Sequence, residues 1–364
     1  MSSAEVTRAC VRRLTPYTPG RPIEEVQREF GLTDVIKLAS NENPLGPSQK
    51  AVDAICKAAA EVRLYPDNDC YQLRGALAKH LGVDRTQVLI GHGSDELIHN
   101  IGLAFICPGD EVMMCSGPFS QYEFTARLME GAPVFVRLDR DWRYDLAEMA
   151  DRITDRTKVV FIGNPNNPTG TIVTKRELAQ FMSVVPDRVV VVLDEAYSEY
   201  VDDPEYAQGL PYVREGRSVI LLRTFSKIYA LAGLRVGYGA TTPELASAME
   251  RVREPFTVTS VGQAAALASI GDREQIARST ALNRESKEYF YRQFERLGLR
   301  CTPSQANFVW VDLDRDVREV FVELQQRGVI VRTGDVFGAP DHIRVTTGLR
   351  EQNQRFIAAL AEVL

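Results

Sequence analysis

Short apolar runs, most of them rich in β-branched residues, recur at residues 88–90, 111–114, 133–138, 158–162, 188–193, 218–222 and 234–239. Helical patterns lie between several of them: from about Asp95 to Ile106, from Ser120 to Gly131, and from the capping box Thr174-x-x-Glu177 to about Val184. A strand that is apolar throughout is buried on both faces, and a helix after each strand returns the chain in the same direction. The alternation therefore predicts an α/β fold with a mostly parallel sheet sandwiched by helices.

After about Thr242 the pattern changes. Thr242-Pro243 opens long helical stretches that run to about Gly298, followed by strands at 307–313, 329–332 and 342–347 with helices between and after them. This predicts a smaller α+β domain. A chain of 364 residues exceeds one ordinary domain and suits two. The expected division is a large domain over 45–250 and a small one formed by 1–44 with 251–364.

Charge and composition narrow the partners. A net charge of −6 argues against nucleic acid or an anionic membrane. The apolar run 189–193 is far too short to span a bilayer, and the first fourteen residues lack the apolar stretch of a signal peptide. The cysteines at 10, 56, 70, 107, 115 and 301 and the histidines at 80, 92, 99 and 342 form no ligand-spaced set, so no metal is expected. Isolated thiols of this kind suit a reducing cytoplasm.

Chemistry concentrates where strands end. Lys227 follows the run 218–222, in Thr224-Phe225-Ser226-Lys227. Sites in open α/β sheets form beyond the carboxyl ends of strands. An amine placed there, with its pKa lowered by a nearby cation, forms a Schiff base with an aldehyde. Taken alone, a solvated lysine is the commoner outcome.

Asp194 closes the run 188–193, within Asp194-Glu195-Ala196-Tyr197. A carboxylate beside a pyridine nitrogen keeps it protonated, and the ring then withdraws electrons from a substrate carbon. A helix N-cap is the alternative reading. Tyr197 and Asn167, the latter in the loop 163–170, would donate to a phenolic oxygen on such a ring, although Asn-Pro steps also build plain turns.

In Gly91-His92-Gly93-Ser94-Asp95-Glu96 a strand meets a helix N-terminus, where the backbone N–H groups suit a phosphate. The side chains of Asp95 and Glu96 are expected to turn away from that phosphate. Arg235, inside the run 234–239, would bind the phosphate through two parallel bonds and depress the Lys227 pKa, with a structural carboxylate as the competing partner. Arg344 and Arg332, on neighbouring strands of the smaller domain, would grip a dianionic substrate; surface salt bridges are the alternative.

Asn167 within Asn-Asn-Pro-Thr-Gly, Asp194-x-Ala196-Tyr197, Thr224-x-Ser226-Lys227 and Arg235 resemble, in order and spacing, the fold-type I pyridoxal-5′-phosphate (PLP) aminotransferases. Leu14-Thr15-Pro16-Tyr17, the stretch 38–47, Tyr65-Pro66-Asp67, Phe119-Ser120-Gln121-Tyr122 and Ser304-Gln305-Ala306-Asn307-Phe308 narrow the resemblance to the histidinol-phosphate aminotransferase family, from about Leu14 to the end. Thr257 departs from that pattern, standing where close relatives tend to have Asn.

The resemblance implies PLP on Lys227, with Thr224 and Ser226 among the residues that bind it. It also implies Phe119 stacked on the pyridine ring and a homodimer with a shared active site, in which Tyr65 reaches the partner's cofactor phosphate. The reaction it implies is transamination of L-histidinol phosphate with 2-oxoglutarate, giving imidazole acetol phosphate and L-glutamate. Lys227 would serve as general base, Arg344 and Arg332 as anion ligands, and Tyr17 as a donor to the substrate phosphate. Three other readings compete: an aromatic amino-acid aminotransferase, a PLP-dependent decarboxylase of a phosphorylated amino acid, and a PLP-sensing regulatory domain.

Overall fold

The fold is described from a computed structural model that covers residues 6–16 and 20–364. The strands, in chain order, are β1 (Ile36–Lys37), β2 (Val88–Gly91), β3 (Glu111–Cys115), β4 (Ala132–Val136), β5 (Thr157–Gly163), β6 (Val190–Asp194) and β7 (Val219–Thr224). They continue with β8 (Gly237–Ala240), β9 (Arg300–Thr302), β10 (Phe308–Asp312), β11 (Val329–Ile330), β12 (Arg332–Thr333) and β13 (His342–Thr346).

Among the described residues, seven strands form one sheet in the order β2-β8-β7-β6-β5-β3-β4. All neighbours are parallel except β8, which runs antiparallel to both β2 and β7. The apolar runs alternate between its faces. Val160, Ile162, Val191, Leu193 and Leu221 point into one core, while Val159, Phe161, Val190, Val192 and Leu222 point into another. Burial of each such side chain contributes about 1.5–3 kcal/mol, which is why strands apolar on both faces need helices on both sides. One covering helix, Lys175–Val184, starts as its sequence dictates: the Thr174 hydroxyl accepts from the Glu177 N–H and the Glu177 carboxylate accepts from the Thr174 N–H.

The C-terminal part builds its own core on a four-stranded sheet, β12-β13-β10-β9, packed with Phe290, Phe294 and Phe356. The N-terminal stretch joins it. β1 pairs in parallel with β11, Ile36 opposite Val329, and Ile36 and Leu38 enter the same core.

Two expectations about local structure need correction. The run 234–239 is not one strand. Ala232–Leu234 is a turn of 3-10 helix, Arg235 takes a left-handed conformation (φ 53), and β8 begins only at Gly237. Here a side chain on Gly237 would collide with the backbone of Gly93 and Ser94, so two glycine-bearing segments pack closer than apolar patterning can show. The helix beginning at Ser120 stops at Leu128, ahead of Glu130, which is also left-handed (φ 61). The helical stretches expected from Thr242 to about Gly298 are present as three helices, Pro243–Glu250, Ser260–Ser269 and Arg273–Arg296. The second of these contributes Ala265 and Ala266 to the core of the large sheet.

Candidate active site

The carboxyl ends of β5, β6 and β7 open into a cavity of about 750 Å³. Strand order explains the convergence. These strands are parallel neighbours, so Gly163, Asp194 and Thr224 finish side by side at one edge of the sheet. Helix Gly93–Phe105 brings Ser94 and Asp95 to the same space, and the 3-10 turn after Lys227 brings Arg235. From the other core, β12 and β13 add Arg332 and Arg344.

Lys227 points its amine into the cavity and donates to the Ser40 carbonyl at 3.2 Å. Burial, then the positive charge of Arg344, lowers its pKa from 10.5 to about 8. About a tenth of the amine is therefore unprotonated at pH 7, rising to half near pH 8, and the unprotonated form is the one that acts as a nucleophile or base.

Asp194 is buried at the end of β6. Its Oδ2 accepts from the Tyr122 hydroxyl at 2.7 Å and its Oδ1 from the Ala196 N–H at 3.2 Å. Loss of water raises its pKa from 3.8 to about 6, while the Tyr122 bond pulls the other way. The turn of 3-10 helix that follows, Ser198–Tyr200, has Tyr197 and not Asp194 at its N-cap, so the N-cap reading falls away. Tyr197 lies beneath the lysine, with the Lys227 Nζ 5.6 Å from its ring centre. Its hydroxyl accepts from Asn41 Nδ2 at 2.9 Å, and burial pushes its pKa up to about 12.

Arg235 is partly exposed at the cavity wall and donates to the Asp95 carboxylate at 2.9 Å. Asp95 thus faces the cavity, contrary to the expectation that it turns away; its charge is engaged by Arg235 and does not stand alone. Glu96 behaves as expected, turning back to accept from the His92 N–H. A Cβ on Gly93 would stand 2.7 Å from the Arg235 guanidinium, and Gly93 itself has φ +76, so glycine is what lets this corner close. Thr224 and Ser226 sit at the same corner, with the Thr224 hydroxyl accepting from the Ser226 N–H at 3.0 Å. Phe119 lines the opposite wall, edge-on to Tyr122.

Arg344 is buried and donates to Asn167 Oδ1 and to the Ala39 carbonyl, both at 2.5 Å. The rings of Phe308 and Phe337 flank it. Arg332 stands directly opposite Arg344 in the β12–β13 register, so both side chains leave the same face of the sheet. Like charges in directly opposed positions destabilise a strand pair, and an anion between them reverses that term.

Not every residue singled out from the sequence reaches the cavity. Tyr65 is 84% exposed and stacks on Phe256, away from the cavity of its own chain. Tyr17 lies outside the described residues. Asp312, Asp341 and His342 come within ligand reach of one another on the small sheet, but Arg300 engages the first and the other two bond to each other.

Two contributors were not singled out from the sequence. Tyr122 reaches Asp194 across 72 positions of sequence, and Asn41 reaches Tyr197. Both lie in stretches that carry the family resemblance. Tyr122 also falls three residues after Phe119, the spacing that puts two side chains on one helix face.

The sequence matches the family described as aminotransferase class I and II over residues 33–360. The histidinol-phosphate aminotransferase of Moorella thermoacetica is 54% identical, over 98% of this chain and 92% of the relative. That of Caldicellulosiruptor saccharolyticus is 48% identical, over 98% and 99%. Among solved structures, the histidinol-phosphate aminotransferase of Sinorhizobium meliloti in complex with pyridoxal-5′-phosphate superposes with a TM-score of 0.92 at 29% identity, covering 100% of this chain and 98% of that one. The chain, its site built from a cavity amine, a buried carboxylate and paired arginines, belongs to the class I and II aminotransferases and, within them, to the histidinol-phosphate aminotransferase family.

Proposed function

We propose that the protein transfers the amino group of L-histidinol phosphate to 2-oxoglutarate, giving imidazole acetol phosphate and L-glutamate, with PLP as cofactor. The observation that carries this reading is the gathering in one cavity of a neutralisable amine, a buried carboxylate and separate clusters of anion-binding groups. The names and near-complete coverage of the relatives support the choice of substrate.

The donor set fits PLP. Ser94, Thr224, Ser226, Arg235 and the uncapped N-terminus of helix Gly93–Phe105 offer hydroxyls, a cation and N–H groups to a phosphate dianion. Asp194 suits a protonated ring nitrogen, Phe119 a ring face, and Tyr197 with Asn167 a phenolic oxygen. When bound, PLP supplies an electron sink for the substrate carbon that bears the amine.

The chain's own residues do the rest. Lys227 holds the aldehyde end and, once displaced by substrate, moves the proton at that carbon; a pKa near 8 places it close to working pH. Arg344 and Arg332 hold the substrate anion. A guanidinium fork accepts a phosphate or a carboxylate equally well, so one pair serves both histidinol phosphate and glutamate. Tyr17 is placed in this reading only by the sequence, as a donor to the substrate phosphate.

We also propose two domains: one built on the seven-stranded sheet and corresponding to about residues 45–250, and a smaller one formed by 1–44 with 251–364. In this reading the helix Ser260–Ser269 packs across the seam. The working unit is a homodimer in which Tyr65, exposed beside Phe256, reaches the cofactor phosphate of the second copy. The cytoplasm suits its free thiols, among them the exposed Cys56 and Cys107.

The test is spectroscopic. PLP added to the purified protein should give a visible absorbance band, which histidinol phosphate should discharge and 2-oxoglutarate restore. Phenylalanine and tyrosine should act far more slowly. Equal rates with them would favour the aromatic aminotransferase reading, and release of carbon dioxide the decarboxylase. A protein that gives no band with PLP, or a Lys227→Ala variant as active as the parent, would overturn the proposal.

A further inference from the structure

We infer that Tyr122 is a positioning residue that fixes the orientation and charge of Asp194, and so sets the pH range in which the protein holds its cofactor. The inference rests on the function proposed above and goes beyond it.

The geometry leaves Tyr122 one thing to do. Its ring is stacked on Phe161 of β5, with centres 4.6 Å apart and planes within 6°, and Phe119 meets it edge-on at 5.6 Å. Only 2% of the residue is exposed, so the phenol cannot swing to solvent. Burial holds its pKa well above 10, hence the hydroxyl keeps its proton and donates it to Asp194 Oδ2. With Oδ1 engaged by the Ala196 N–H, both carboxylate oxygens are anchored and the plane of the group is set.

Charge follows from the same contact. The titratable groups around Asp194 are Asp95, Glu195, Tyr122, Tyr144, Tyr197 and Tyr206. Asp95 and Glu195 oppose ionisation of the carboxylate by like charge, and burial opposes it further. The Tyr206 hydroxyl donates instead to the Asn164 carbonyl, that of Tyr197 accepts from Asn41, and that of Tyr144 accepts from the Gly163 N–H. Among the described residues, Tyr122 is thus the side chain that gives Asp194 a hydrogen bond. A bond to a charged group contributes more than one between neutral groups, and here the charged form is the one that faces the cofactor nitrogen.

The test uses Tyr122→Phe, which keeps the stacked ring, and Tyr122→His, which restores a donor. In apoprotein labelled with carbon-13 at aspartate carboxyls, the Asp194 resonance should titrate at higher pH in Tyr122→Phe than in the parent, and Tyr122→His should move it back. The dissociation constant for PLP, measured from pH 5.5 to 8.5, should weaken about ten- to hundred-fold in Tyr122→Phe, most at the acidic end. An unshifted titration would overturn the inference. So would a loss of affinity that is uniform in pH and tracks a drop in thermal stability, which marks a structural role alone. A parent that fails to bind PLP at all would sink the proposed function, while the apoprotein titration would still decide the coupling between Tyr122 and Asp194.

Discussion

Replacing Asp194 by Asn should make the apoprotein more stable while disabling the enzyme. In the fold the Asp194 carboxyl titrates at about 6, against an ordinary 3.8. A folded value raised above the unfolded one means that between these two pH values the native state holds the extra proton. Stability therefore falls as pH climbs through that window, and the full cost is present above about 6. The gap corresponds to about 3 kcal/mol, at about 1.36 kcal/mol for each tenfold step in proton affinity. Asn carries no charge, has nearly the same shape and can keep its amide oxygen on the Ala196 N–H while its NH2 group donates to the Tyr122 oxygen, so most of that cost should disappear. Thermal unfolding of apoprotein at pH 8 should rise by several degrees in Asp194→Asn, and the gain should shrink steadily toward pH 4.5. Transamination should drop by orders of magnitude, because no anion then faces the cofactor nitrogen. The reasoning fails if Asp194→Asn is no more stable than the parent at pH 8, or if its advantage does not depend on pH. A stabilising substitution that removes activity is the signature of a charge kept for function against the preference of the fold.

The rate at which apoprotein captures PLP should rise with pH around a midpoint near 8, where Lys227 loses its proton; Arg344→Ala removes a neighbouring cation and should move that midpoint upward, as stopped-flow absorbance would read. Arg332→Ala should raise the KM for both histidinol phosphate and glutamate, since one arginine pair serves both anions; steady-state kinetics unchanged for both would refute its role. Tyr65→Ala and Lys227→Ala subunits, each inactive alone, should regain activity when mixed and refolded together, because each supplies to one shared site what the other lacks; no recovery would argue against a shared site.

Much of this architecture is legible in the sequence, for identifiable reasons. β5, β6 and β7 are buried on both faces, so their β-branched runs stand out, and each of their ends carries a residue of the site. Thr174 and Glu177 announce a helix start because a capping box is purely local. What escaped was not local. The antiparallel sense of β8 depends on partners far along the chain, and the left-handed Arg235 depends on the close packing of Gly237 on Gly93. Leu210–Arg214 and β9 are too short for any periodicity to register. Likewise, nothing in the residues around Tyr122 announces a bond to Asp194; only the pairing of β5 with β6 and the packing of a helix over them bring the two together.

The pairing of β1 with β11 has an implication for how the molecule is made. Residues 36 and 37 find their backbone partners at 329 and 330, and the Leu38 carbonyl accepts from Thr346. Ser40, whose carbonyl receives the Lys227 amine, and Asn41, which reaches Tyr197, follow directly on that segment. During synthesis the seven-stranded sheet has all its strands once residue 240 has emerged, whereas the first forty residues must wait for the last strands. The catalytic pocket is thus completed last, and a chain cut short before β13 should keep most of a folded body yet have no working site.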